Sequence, residues 1–194
     1  MKSKMILSAI FPVLFIFLTA DLKPVHAAQK GNKLQNKKVL VVFYSRTGNT
    51  KRVGLDLAGK LKADSEELKD MKSRSGITGW LKGGRDALKK KNTEIAKIKK
   101  NPSQYDLVII GTPVWASAMT PAVRTYISQN KDKFKQTAYY ITSGNASASA
   151  IVPSMEDLSG KKGKAFTGFT TRELKDKVIY EKKLGEFLDE LRTK

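Results

Sequence analysis

The chain reads as an α/β domain: a doubly wound, three-layer α/β/α sandwich around a five-stranded parallel sheet. Three observations predict it. Lys38–Tyr44 ("KVLVVFY") and Tyr105–Gly111 ("YDLVIIG") are continuous apolar runs rich in Val and Ile, the pattern of strands buried on both faces. Apolar residues between and beyond them recur at helical spacing. Strands alternating with helices call for parallel pairing, with helices packed on both faces of the sheet.

The elements follow in order. After the strand Lys38–Tyr44, Asn49–Leu61 is a helix with Val53, Leu57, Ala58 and Leu61 on one side. Ser65–Met71 is a weak edge strand. Residues 72–104 read as irregular and basic, broken by Gly76, Gly79, Gly83 and Gly84, with short helices around Leu81–Lys90 and Pro102 as the closing residue. Tyr105–Gly111 is the third strand. Thr120–Asn130 is a helix with Pro121 in its tolerant first turn and Val123, Tyr126 and Ile127 on one face. Thr137–Thr142 is a strand, Ala148–Leu158 a helix and Lys164–Thr170 the fifth strand. A last helix over about Tyr180–Leu191 sets Leu184, Phe187, Leu188 and Leu191 on one stripe.

The first residues belong to something else. Lys2 and Lys4 precede an apolar run from Met5 to Ala20, and Val25-His26-Ala27 follows. A charged start, an apolar centre and a small-residue cleavage site predict a secretory signal over residues 1–27, a flexible lead-in over 28–37 and a domain over 38–194. That places the protein in the periplasm or outside the cell. The alternative is a membrane anchor left uncleaved, against which stand Pro12 within the run and a length short of a full span. No cysteine is available for lipid attachment, and no twin-arginine pair precedes the run, which favours export as an unfolded chain.

Charge and composition exclude whole classes of chemistry. The chain holds 37 Lys+Arg against 18 Asp+Glu, a formal +19. Cleavage would remove Lys2, Lys4, Lys23 and Asp21, leaving +17, and would also remove His26, the single histidine. With neither histidine nor cysteine, the remaining chain cannot build a Ser-His-Asp or Cys-His nucleophile, a zinc site on those ligands, His- or Cys-bound haem, or a thiolate iron–sulfur cluster. Demanding chemistry falls to carboxylates, lysines, hydroxyls or a bound organic cofactor.

Three strand ends carry the candidate site, because ligands of open parallel sheets bind beyond the carboxyl ends of the strands. The first is Ser45-Arg46-Thr47-Gly48-Asn49-Thr50, between a strand and a helix start. Unpaired amides and a partial positive charge at that start attract an anion, and the hydroxyls add donors. GxxxxGK[ST] is absent, which argues against a P-loop hydrolase. A plain strand–turn–helix joint capped by Thr47 or Asn49 explains two of these polar residues, but not five. The second end is Thr112-Pro113-Val114-Trp115-Ala116-Ser117, where Trp115 either faces a planar ring or lids the core. The third, Ser143-Gly144-Asn145 and Ser147, offers small polar groups to ring edges.

SRTGNT, GTPVWASAMTPAV and TSGNAS, at these separations, resemble the motifs of the flavodoxins and flavodoxin-like flavoproteins, over roughly residues 38–192. The resemblance implies strand order 2-1-3-4-5 and non-covalently bound FMN. Its phosphate would sit on Ser45, the Arg46 backbone, Thr47, Gly48, Asn49 and Thr50. The ring would lie between Pro113–Ser117 and Ser143–Ser147. The loop after the fourth strand lacks the family's ring-stacking tyrosine, so a second aromatic cover would have to come from elsewhere, with Trp80 as the candidate. No long insertion breaks the fifth strand, as in the short-chain type.

Flavodoxins are acidic, and this chain is the reverse. Lysines cluster at Lys89–Lys91, Lys97–Lys100 and Lys161–Lys164. They read either as a solvated surface or as docking patches for an acidic redox partner or an anionic membrane surface. Nucleic acid is not expected, since no aromatic residues interleave with the lysines. A monomer is expected. The leading function is an FMN electron carrier. The alternatives are an FMN-dependent quinone or flavin reductase, for which no G-x-G-x-x-G is present, and a non-redox module that binds FMN or another phosphate compound.

Overall fold

Val39–Phe43 (β1) buries all five of its side chains, because helices cover both faces of the strand. The computed structural model describes residues 33–145 and 147–194. The expected export signal lies outside the described residues. The lead-in is docked from Lys33 onward: its amide donates to the Arg192 carbonyl (2.8 Å), and Lys37 N–H closes a turn on Leu34 (3.1 Å).

After β1 come α1 (Asn49–Leu61), β2 (Asp64–Glu67), α2 (Gly76–Leu88), β3 (Leu107–Trp115), β4 (Ala118–Met119), α3 (Pro121–Asn130), β5 (Thr137–Ser143), α4 (Ala148–Ser159), β6 (Gly163–Thr170), α5 (Thr171–Lys175) and α6 (Lys177–Thr193). The five parallel strands run β2-β1-β3-β5-β6, the expected 2-1-3-4-5 order. The two-residue β4 is the addition: it pairs antiparallel with the end of β3, Val114 opposite Met119 and Trp115 opposite Ala118. This extends the third strand through Thr112–Trp115, a stretch expected to be loop. The turn between them places Ala116 and Ser117 at φ 45° and 57°, the left-handed pair that a tight two-residue hairpin demands. Ala-Ser carries none of the glycine that normally announces such a turn.

The pleat sorts the core into two layers. Val39, Val41, Phe43, Leu107, Ile109, Ala138 and Tyr140 face α1 and α6. Leu40, Val42, Val108, Ile110, Tyr139 and Ile141 face the other way, toward Val123, Ile127, Ile151, Val152 and Met155 of α3 and α4. In α6, buried Tyr180, Leu184, Phe187, Leu188 and Leu191 form the stripe that the spacing predicted, one turn longer. Burying each such side chain contributes roughly 1.5–3 kcal/mol.

The region expected to be irregular is ordered by charge. Arg74, 7% exposed, donates to Asp70 (2.9 Å) and Asp86 (2.8 Å), and Asp70 also accepts from the Thr93 hydroxyl (2.7 Å). This clamp ties the start of α2 to its last turn and to the strand-like return at Ile95, which bridges Asp70. The 94–100 segment then runs along the outer side of β2, where Glu66 accepts from the amides of Lys99 and Lys100. That pairing covers a sheet edge that would otherwise present open backbone.

Candidate functional site

The carboxyl ends of β1, β3 and β5 bring the three predicted loops to one pole. In the first, Tyr44 follows the strand, and the amide of Gly48 donates to the Ser45 hydroxyl (3.2 Å). Gly48 turns the chain at φ 94° and is the N-cap of α1. A methyl group added there would meet nothing within 4 Å, so the backbone curls around open space. No side chain caps α1 and no carboxylate occupies its first turn, which leaves first-turn amides facing that space. Ser45 and Asn49 are half-buried, and Arg46, Thr47 and Gly48 exposed. Thr50 points inward instead. Its hydroxyl meets that of Thr142 at 2.7 Å in a buried contact, and its carbonyl accepts from the Tyr140 hydroxyl (3.0 Å). The first turn of α1 is therefore fastened to β5 at two points.

The second loop is a hairpin. Thr112 is fully buried, and its hydroxyl donates to the Pro113 carbonyl (2.9 Å) and accepts from the Thr120 amide (3.2 Å). It builds the hairpin rather than facing the crevice. Pro113 and Val114 are half-buried, and Ala116 and Ser117 exposed at the tip. Trp115 lids the core: its ring meets Tyr44 edge-on (centroids 5.6 Å apart, 86°), and the ring lies so close to Gly83 that a methyl group there would come within 2.6 Å. Of the two roles read for Trp115, this packing against Tyr44 and Gly83 is that of the core lid, and the same indole lines the apolar hollow beside Trp80. Burial chiefly, with the charge of Asp70, holds the Tyr44 phenol above its ordinary pKa, against the opposing pull of Arg74 and Arg46.

The third loop is open. Gly144, Asn145 and Ser147 are exposed, and the half-buried Ser143 gives its carbonyl to the Thr171 hydroxyl (3.2 Å). Ser147 is the N-cap of α4, with its hydroxyl on Ser149 (2.8 Å) rather than on a first-turn amide. A second helix start thus faces the same pole.

Among the described residues, hollows surround the pole. One of about 400 Å³ is lined by Arg46, Gly76, Ile77 and Trp80. Another, about 370 Å³ and mostly apolar, lies between Trp80, Leu81, Gly84, Val114, Trp115 and Ala116. A third, about 470 Å³, runs from Asn145 and Ser147 to Phe166 and Glu173. A larger hollow, about 930 Å³, sits at the opposite pole among Lys37, Lys38, Lys62, Lys99 and Lys100, at the wrong end of the strands for this site. Sequence reasoning did not include α2 in this neighbourhood beyond Trp80, and it overlooked Arg74. Both lie in the glycine-broken segment whose order depends on a long-range ion pair. Among the described residues no cluster of acidic side chains could hold a metal.

The flavodoxin family model matches residues 38–182. The chain belongs to the flavodoxin family. Among solved structures, this flavodoxin resembles a flavoprotein from Lactobacillus acidophilus NCFM, determined in complex with FMN, at 22% identity over 72% of this chain and 97% of that one, with a TM-score of 0.58. A second, described as a putative flavoprotein from Bacteroides eggerthii DSM 20697, shares 22% identity over 75% and 99% of the two chains, with a TM-score of 0.62. The Trp repressor binding protein from Bacillus subtilis superposes at 0.53 with 14% identity, over 78% of this flavodoxin and 99% of that protein. At these identities the likeness is one of fold. Among curated proteins none matches. The FMN phosphate that the family implies fits the first loop: an open glycine hook, an uncapped helix start, hydroxyls on Ser45 and Thr47, and no carboxylate in the first turn.

Proposed function

We propose that this flavodoxin binds FMN non-covalently and carries electrons on it outside the cytoplasm. The carrying observation is the open hook at Gly48, placed at an uncapped start of α1 that β5 holds rigid through Thr50–Thr142. Ser45, Thr47 and Asn49 stand beside the hook to meet a phosphate dianion, and Arg46 adds positive charge at its rim. Gly144, Asn145 and Ser147 across the crevice, with Pro113, Val114 and the Ala116-Ser117 tip, offer edges to a planar ring. Bound FMN would supply reversible electron uptake, which the side chains present here do not. The export reading rests on the sequence of residues 1–27.

Adding FMN to the purified protein while recording the visible spectrum tests the reading. The expected result is a perturbed flavin spectrum that saturates at one FMN per chain and cycles reversibly with dithionite and air. An unperturbed spectrum would sink it. Rapid steady-state turnover of NAD(P)H with a quinone would move the function to a reductase.

A further inference from the structure

We propose that α2 is an in-plane membrane anchor whose exposed apolar stripe seats in an anionic bilayer. The surface borders the proposed flavin site at Arg46 and Ala116, but the inference does not depend on FMN being bound. Helix α2 has two apolar faces where a globular protein needs one. Gly79, Gly83 and Ala87 form the inward face, closed against Arg74 and Trp115. Beside it, Ile77, Trp80, Leu81 and Leu88 stand 78%, 54%, 58% and 64% exposed. At 100° per residue these four and Gly84 fall on one stripe, about 16 Å long at 1.5 Å per residue. The uncharged hairpin tip extends it, with Ala116 3.8 Å from where a Gly84 side chain would begin. Scattered exposed apolar residues are ordinary, but an aligned set of this size marks a contact surface.

The rim decides what covers it. Arg85 and Lys82 flank the stripe on the solvent side, Lys89, Lys90 and Lys91 follow its end, and Arg46 shares a hollow with Ile77 and Trp80 at its start. The one carboxylate of α2, Asp86, is turned onto Arg74 and offers little to the surface. An apolar line with a tryptophan, fringed by long cationic stems, matches an interfacial helix whose apolar face reaches the acyl boundary while its cations meet lipid phosphates. A second copy of this chain would set like charges against one another. A convex helix face wets all four side chains at once in a flat apolar medium.

The test uses the full chain and vesicles of phosphatidylglycerol or phosphatidylcholine, with and without brominated acyl chains. The chain has 2 tryptophans, and Trp115 is buried, so changes in emission report on Trp80. On phosphatidylglycerol, emission should shift to the blue, be quenched by brominated chains and be shielded from aqueous acrylamide. Ile77→Ser with Leu81→Ser should weaken the binding read by that quenching about tenfold or more. Both side chains are exposed, so the melting temperature should hold and serve as the folding control. Trp80 remaining equally open to acrylamide would overturn the proposal, even if the chain sedimented with vesicles through its N-terminal run. So would equal quenching on phosphatidylcholine, a dimer that Ile77→Ser abolishes, or protection of Trp80 by an acidic protein but not by lipid.

Discussion

The hydroxyls of Thr50 and Thr142 lie 2.7 Å apart in direct contact, one in the first turn of α1 and the other near the end of β5. Each buried hydroxyl satisfies the other, and together they register the phosphate loop against the strand that leads to the third loop. Thr142→Val should therefore cost about 1–3 kcal/mol, because it leaves a buried hydroxyl unpaired. Thr50→Val with Thr142→Val should recover most of that loss, as two matched apolar groups replace a matched polar pair. Urea unfolding of the singles and the double checks this. A double mutant at the sum of the single losses would mean the pair is not coupled.

Thr47→Glu should abolish tight FMN binding. It puts a carboxylate where the hook expects a dianion. Two like charges at about 5 Å in an effective dielectric near 20 cost several kcal/mol, more than a hundredfold in affinity. Quenching of flavin fluorescence measures it, and unchanged affinity would mean the anion lies elsewhere.

Gly111→Ala should be among the most damaging single changes. A methyl group there would sit 2.0 Å from Cζ of Tyr140, a fully buried ring that the Thr50 carbonyl holds in place. Overpacking of this kind costs 1–3 kcal/mol or more. Tyr140→Phe should not rescue it, since the ring stays. Thermal melts of the three variants decide.

Stability should fall at acid pH partly through the Arg74 clamp. The Arg74 hydrogen bond chiefly, against the opposing effect of burial, holds Asp86 below its ordinary value of 3.8. A depressed carboxylate contributes stability that is complete above the unfolded value and is lost as pH falls through the folded one. Asp86→Asn should thus be less stable than wild type at pH 7, and the gap should close only below about pH 4. Arg74→Leu should cost more, about 3–5 kcal/mol, because it strands two carboxylates. Chemical denaturation across pH tests both.

The flavin potential should be higher than in an acidic flavodoxin and should drop as salt is added. The chain's formal charge is +19. At an effective dielectric near 20, each unit charge about 8 Å from a reduced, anionic ring contributes about 2 kcal/mol before screening. A potential as negative as that of acidic homologues, and flat with ionic strength, would remove charge from the explanation.

What the chain alone determined was whatever depends on local pattern. The Val- and Ile-rich runs at Val39–Phe43 and Leu107–Ile110, the helix Asn49–Leu61 and the α6 stripe are legible because apolar periodicity and burial are the same physical fact seen twice. The loops at Ser45–Asn49 and Ser143–Asn145 are legible for the same reason, since polar residues after a buried strand tend to leave the core, whereas Thr50 turned inward onto Thr142. Tertiary structure decided the rest. Thr112 and Trp115 sit in a motif yet serve packing, because a hairpin without glycine turned the strand back and α2 closed over the indole through Gly83. That helix exists as one unit because Arg74 found Asp70 and Asp86 across 4 and 12 residues, and it kept an apolar stripe that no local rule distinguishes from a buried one. Periodicity reports that a face is apolar. Only the assembled fold, by using the neighbouring face of Gly79, Gly83 and Ala87 for the core, left this one facing out.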